Sequence, residues 1–168
     1  MAIMLSLMKI LLLLGVLLTL ESAFPSNWWR PDMVLLLLVP CALRFGRRRG
    51  AVLGFAGGIM LGAVSGAFMG ILAGVYGVIG YLLGWWGERE VPGWFVFWLG
   101  TVFAISAAEL MLAAMSRVLP WEMAPSVLSL RAWMLPVLLI NSLLVWPADR
   151  LLQMLLGKSY LKKLRWRL

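Results

Sequence analysis

Six glycines recur at every fourth position through the middle of the chain: Gly54, Gly58, Gly62, Gly66, Gly70 and Gly74. The residues around them are almost all apolar. On an α-helix a four-residue step advances roughly 400°, so the ladder drifts by only about 40° per step. Each consecutive pair is a GxxxG, the spacing that lets two helix backbones approach closely in lipid. Each interior glycine costs about 1 kcal/mol relative to alanine, which close backbone contact must offset. A straight helix through all six would spiral the ladder by about 200°, too far for a single partner. The chain is therefore expected to turn at Ser65-Gly66-Ala67. That divides the ladder into Gly54, Gly58 and Gly62 on one helix and Gly70 and Gly74 on the next, with the two faces meeting across a hairpin or receiving a partner helix.

Composition points the same way. The 168 residues are 63% hydrophobic and only 13% charged, where soluble domains carry about 25% charged residues. The mean hydropathy is +0.96. The length allows one domain, read as a single integral membrane unit over residues 1–168. There is no histidine, and the one cysteine, Cys41, sits in a leucine-rich stretch and is read as a small core side chain. A His- or Cys-based metal or nucleophile site is thereby disfavoured.

Six spans are expected in an all-α polytopic membrane protein: residues 1–22, 31–45, 50–65, 67–86, 94–115 and 131–146, followed by a basic tail over 149–168. The first is read as a retained helix rather than a cleaved signal peptide, because Met1–Met8 is uncharged and Glu21-Ser22-Ala23 makes a poor cleavage site. The second reaches only about 22 Å, short of the roughly 30 Å hydrocarbon core, and contains Pro40. It is expected to be short, kinked or partly re-entrant, and buried against its neighbours.

Six spans with both termini on one side gather Arg44, Arg47, Arg48, Arg49, Arg89, Arg150, Lys158, Lys162, Lys163, Arg165 and Arg167 on that side. The other side holds Arg30, Arg117 and Arg131. The positive-inside rule then makes both termini cytoplasmic. Arg44 to Arg49 and the Lys158–Arg167 tail are expected to form one basic face for anionic headgroups. A cytoplasmic protein is the alternative user of that face, and nucleic acid fits it poorly. Trp28, Trp29, Trp85, Trp86, Trp94, Trp121, Trp133 and Trp146 lie near the expected span ends, where indoles anchor at the interface.

No catalytic constellation emerges. Of the seven acids only Glu88 and Glu90 are neighbours, and they read as part of a solvated turn. Serines lack a histidine to activate them. No enzyme activity, cofactor or metal is expected. Glu109 is the one acid inside an expected span, on a stripe with Ser106, Ala113 and Ser116. Intramembrane carboxylates default to a functional reading. Glu109 is expected either to pair with Arg117 or Arg131 or to contact a partner or cavity ligand.

Pro31-Asp32 followed by Leu35–Leu38, the Arg44–Arg49 run, Gly54-Phe55, Gly58, Ser65-Gly66, Gly70, Tyr76 and Gly80-Tyr81 through Gly84 resembles the rod shape-determining protein MreD family. The later Asn141-Ser142-Leu143-Leu144 before a basic tail is similar too. The chain departs from the family at Gly62, often an aspartate there, and at Leu72, often polar or histidine. The resemblance implies a non-catalytic scaffold subunit of the bacterial cell-elongation complex, acting in cell shape and peptidoglycan synthesis. It implies MreC as a partner, with RodA, a class B penicillin-binding protein and MreB as further ones, and a transmembrane helix of MreC as an occupant of the glycine faces. It also implies a fold like the substrate-binding subunits of energy-coupling-factor transporters. A small-molecule-binding transporter subunit is the alternative, although the bulky first helix lacks the small residues expected to dock an energising partner. A lipid-handling protein with an interhelical groove is a third reading.

Overall fold

The computed structural model describes residues 8–10, 12–17, 19, 32–65, 69–89, 93–116 and 127–156, and every element among them is an α-helix. In chain order these are α1 (Met8–Leu17), then α2 (Met33–Phe45), α3 (Arg47–Ser65), α4 (Met69–Arg89), α5 (Trp94–Ser116) and α6 (Val127–Leu156). Two stretches, Met69–Arg89 and Trp94–Ala114, are long and apolar enough to cross a membrane by length and composition, while α1 and α2 are shorter apolar helices.

The centre of the bundle is its shortest complete helix. α2 starts because Asp32 caps it, its Oδ1 accepting the Leu35 N–H at 2.9 Å, which satisfies one of the donors a helix start leaves free. It ends at Gly46, whose φ of 82° lies where only glycine is unstrained. That single residue turns the chain straight into α3. Eleven of the thirteen α2 residues are buried, so the helix is enclosed nearly all round. It packs against α3, α4, α5 and α6. Pro40 sits inside the helix without breaking it, since the neighbours around a buried proline can hold the helix together.

Cross-helix contacts fix the directions. Gly80 of α4 faces Gly50 of α3, and Gly62 faces Met69, so α3 and α4 run antiparallel. Ile10, Leu14 and Leu53 line one small cavity with Val34 and Cys41, and Gly15 faces Met60, so α1 runs parallel to α3. At one end of the bundle the C-terminus of α2, the N-terminus of α3 and the C-terminus of α4 meet α6 through Arg44 and Asp149. This is the arginine end.

Several expected boundaries shift. α3 begins at Arg47 rather than 50, so the arginines form its first turn instead of a loop. α4 runs to Arg89, which places Glu88 on a helix rather than in a solvated turn. There its Oε1 accepts the Arg47 N–H at 2.9 Å and caps α3. The last helix covers Val127–Leu156 rather than 131–146, continuing through Pro147 into the tail. A proline removes one helical hydrogen bond, but Asp149 is gripped from α2 and by Gln153 one turn on, which holds the helix together past it. At 30 residues α6 is about 45 Å long.

Candidate functional site

Glycine does shape the α3–α4 contact, with a different set of residues from the one the ladder suggests. On α3 the four-residue step holds: a Cβ at Gly54 would land on the Tyr76 carbonyl, at Gly58 2.5 Å from Leu72 O and 2.6 Å from Ala73 Cα, and at Gly62 2.6 Å from Met69 Cα. Gly50 extends the row against the Gly80 carbonyl. On α4 the matching positions are Ala73, Tyr76, Gly80 and Gly84, and Gly87 then abuts Leu43 of α2. Gly70 and Gly74, expected on this seam, are not there; a Cβ on either would meet nothing within 4 Å. The reason is angular. Gly70 and Gly74 each follow a contact residue, Met69 and Ala73, by one position, which is about 100° round the helix, so they share the four-residue spacing but point away from the seam. Gly66 lies outside the described residues. The series Gly77, Gly80, Gly84, Gly87 carries the three-four spacing and was the available signal.

One of the displaced glycines, Gly74, borders a groove. Gly74, Gly77, Ala73, Val78 and Tyr81 of α4 face Ala51, Val52 and Phe55 of α3 around an open space of about 470 Å³. Val52, Phe55, Val78 and Tyr81 are exposed, so the groove has a small-residue floor and large apolar walls on the outside of the hairpin. A rod of helical dimensions fits such a surface, because the floor lets a backbone come close while the walls flank it.

Two polar nodes hold the bundle. Arg44 grips Asp149 with both forks of its guanidinium, Nε to Oδ1 at 2.7 Å and Nη2 to Oδ2 at 2.8 Å. Gln153 donates to the same carboxylate at 2.7 Å, and the Arg44 guanidinium lies 5.1 Å from the Phe97 ring centroid. Asp149 is 5% exposed. Arg44 therefore does not belong to a free basic face; it is a structural clamp between α2 and α6. Arg47 is partly engaged as well, with Nε 3.7 Å from Glu88 Oε2. Arg48 is exposed, and Arg49 is half-buried with its Nη1 closed off from solvent and lacking an acceptor. Lys158, Lys162, Lys163 and Arg165 lie outside the described residues.

The second node lies at the start of α2. Tyr76 Oη donates to Asp32 Oδ2 at 2.6 Å, so one carboxylate both caps α2 and ties it to α4. Glu109 is half-buried on α5. Its Oε2 is enclosed and has no hydrogen-bond partner among the described residues. The expected partners Arg117 and Arg131 have no described side chains. On α6, Asn141 is fully buried, its Nδ2 donating to the Val137 carbonyl at 2.9 Å. Asp32, Tyr76 and Asp149 were not singled out as site residues; the pairings join positions 44 and 105 residues apart, which no local pattern reveals. The arrangement offers recognition surfaces: an apolar groove, a basic end and an enclosed carboxylate.

No protein-family model matches the chain, and neither characterised proteins nor solved structures give a match.

Proposed function

We propose that this chain is a non-catalytic, multi-pass membrane subunit of the MreD kind, with six spans arranged like the substrate-binding subunits of energy-coupling-factor transporters. It docks a transmembrane helix of MreC and, through the assembled complex, the wall-synthesis enzymes RodA and a class B penicillin-binding protein; MreB is the cytoplasmic partner. The observation that carries the reading is Gly74, a helix-interior glycine at which a Cβ would meet nothing within 4 Å among the described residues, in the lining of the groove on the outside of a glycine-closed hairpin. In a helix such a residue is unfavourable by about 1 kcal/mol, a loss that a close-packed external helix offsets.

Membrane residence is supported by the two long apolar helices and by the apolar exterior. Trp94, Leu110, Leu143 and Met154 are each more than 70% exposed, on a surface far more apolar than soluble monomers present to water. The basic residues of α2, α3 and α4 gather at one end, as the positive-inside rule requires of a cytoplasmic face. The decisive experiment is co-purification from native membranes. Wild type should bring down MreC. Gly74→Leu should lose it while the subunit itself keeps its melting temperature. Recovery of an energising ATPase in place of MreC would establish the transporter-subunit alternative and refute the scaffold.

A further inference from the structure

The arginine end carries more cationic side chains than its acids neutralise. Glu88 and Asp149 are already held by Arg47 and Arg44. Arg48, Arg49, Arg89 and Arg150 have no carboxylate partner among the described residues. Two of the four are held in a distinctive way. The Arg89 guanidinium carbon lies 3.8 Å from the Trp85 ring centroid and that of Arg150 lies 4.9 Å from the Trp146 centroid. Stacking on an indole uses the face of a guanidinium and leaves its N–H edge pointing outward. That edge matches two oxygens of a phosphate in a planar, bidentate contact. Arg49 adds a second requirement, a guanidinium nitrogen enclosed and without an acceptor among the described residues.

Below the rim the surface becomes apolar. Trp85 is 40% and Trp146 57% exposed. They continue down the bundle into exposed Leu82 on α4 and Leu143 and Leu139 on α6, none of which lines the groove. A soluble anion would use only the guanidinium edges. A molecule with a phosphate joined to two acyl chains would use both the edges and the apolar strip beneath them. We infer that Arg48, Arg49, the Arg89–Trp85 pair and the Arg150–Trp146 pair form a rim that binds the phosphates of anionic diacyl phospholipids. This rests on the membrane reading above but is independent of which protein docks in the groove. It also differs from a diffuse basic face, because Arg44 is excluded and the tryptophans are included.

The test uses the purified full chain in detergent, titrated with phosphatidylglycerol or with phosphatidylcholine of identical acyl chains, and bound lipid counted by native mass spectrometry. Wild type should retain phosphatidylglycerol preferentially. Arg89→Gln with Arg150→Gln, and Arg48→Gln with Arg49→Gln, should each erode that preference by about fivefold per arginine removed. Excess inorganic phosphate should not displace the lipid. Arg44→Gln serves as the folding control: it should lower the melting temperature and leave the preference intact. Equal retention of the two lipids, survival of the preference in the fourfold variant, displacement by free phosphate, or collapse in Arg44→Gln to the same degree would each overturn the rim. Release of the chain from membranes by alkaline carbonate would overturn the membrane reading and the rim together. Loss of the preference in a carbonate-resistant chain would overturn the rim alone.

Discussion

Replacing Gly58 with alanine and Gly74 with alanine makes the same chemical change at about the same level on the two helices of one hairpin, and the two should act in opposite directions. At Gly58 the new Cβ lies 2.5 Å from Leu72 O and 2.6 Å from Ala73 N and Cα. Ordinary contact begins near 3.5 Å, so the helices must part by about 1 Å. All three atoms are backbone and cannot rotate aside. Overpacking of this kind destabilises by about 1–3 kcal/mol, and the better helix propensity of alanine returns about 1 kcal/mol. The net loss is about 0–2 kcal/mol. At Gly74 the Cβ meets nothing within 4 Å among the described residues, so only the propensity gain of about 1 kcal/mol operates. The two variants therefore differ by about 1–3 kcal/mol, which for a chain of this size separates melting temperatures by on the order of 5 °C. Thermal unfolding of the purified subunit in one detergent, followed by tryptophan fluorescence, reads the difference. Equal melting temperatures, or a Gly58→Ala variant more stable than Gly74→Ala, would refute the backbone-contact seam.

Asp149→Asn should destabilise by about 3 kcal/mol, because it leaves the Arg44 guanidinium largely buried without its counter-charge; a double-mutant cycle with Arg44→Gln should show strong coupling, and additive losses would argue against the clamp. Tyr76→Phe removes the hydrogen bond to Asp32 and should lower stability by about 1–2 kcal/mol, with an unchanged melting temperature counting against that tie. Glu109→Gln should leave the isolated subunit as stable as wild type, or more so, since it removes a carboxylate whose Oε2 is enclosed without a hydrogen-bond partner among the described residues. A clear loss of stability would instead reveal a cationic partner for Glu109. Reporter fusions at Leu168 and near Glu122 should lie on opposite sides of the membrane, and finding them on the same side would rule out the six-span topology.

The helical class, the turn after Ser65 and the extent of α5 were legible in the sequence because each depends on local composition: apolar runs, glycine spacing and the charged or proline-bearing breaks between them. The seam was legible only on α3. There the four-residue step and the contact face coincide, whereas on α4 the glycines at 70 and 74 share the spacing without sharing the face. What the pattern could not supply was direction around the helix axis, which the partner sets. The arginine run misled for a similar reason. Arg44, Arg47, Arg48 and Arg49 look equivalent as charges, yet Arg44 belongs to the last turn of α2 and Arg47 begins α3. Gly46 swings the two into different environments. The last span is expected from sequence to stop at residue 146, but α6 runs on to Leu156, held past Pro147 by the Asp149 carboxylate and a distant arginine.

The separation between Arg44 and Asp149 also imposes an order on biosynthesis. The α3–α4 hairpin joins neighbours in sequence, so its loop closes with little entropy loss, and it can assemble as soon as Arg89 has been made. Arg44 must wait until a further 105 residues have been added before its counter-ion exists. In that interval the nascent chain holds a compact glycine hairpin beside an α2 whose arginine has no Asp149 to grip. Arrival of α6 then closes the bundle like a latch. Chains truncated before Asp149 should keep the hairpin and lose the latch. They would accumulate as a discrete, protease-sensitive intermediate rather than as a random coil.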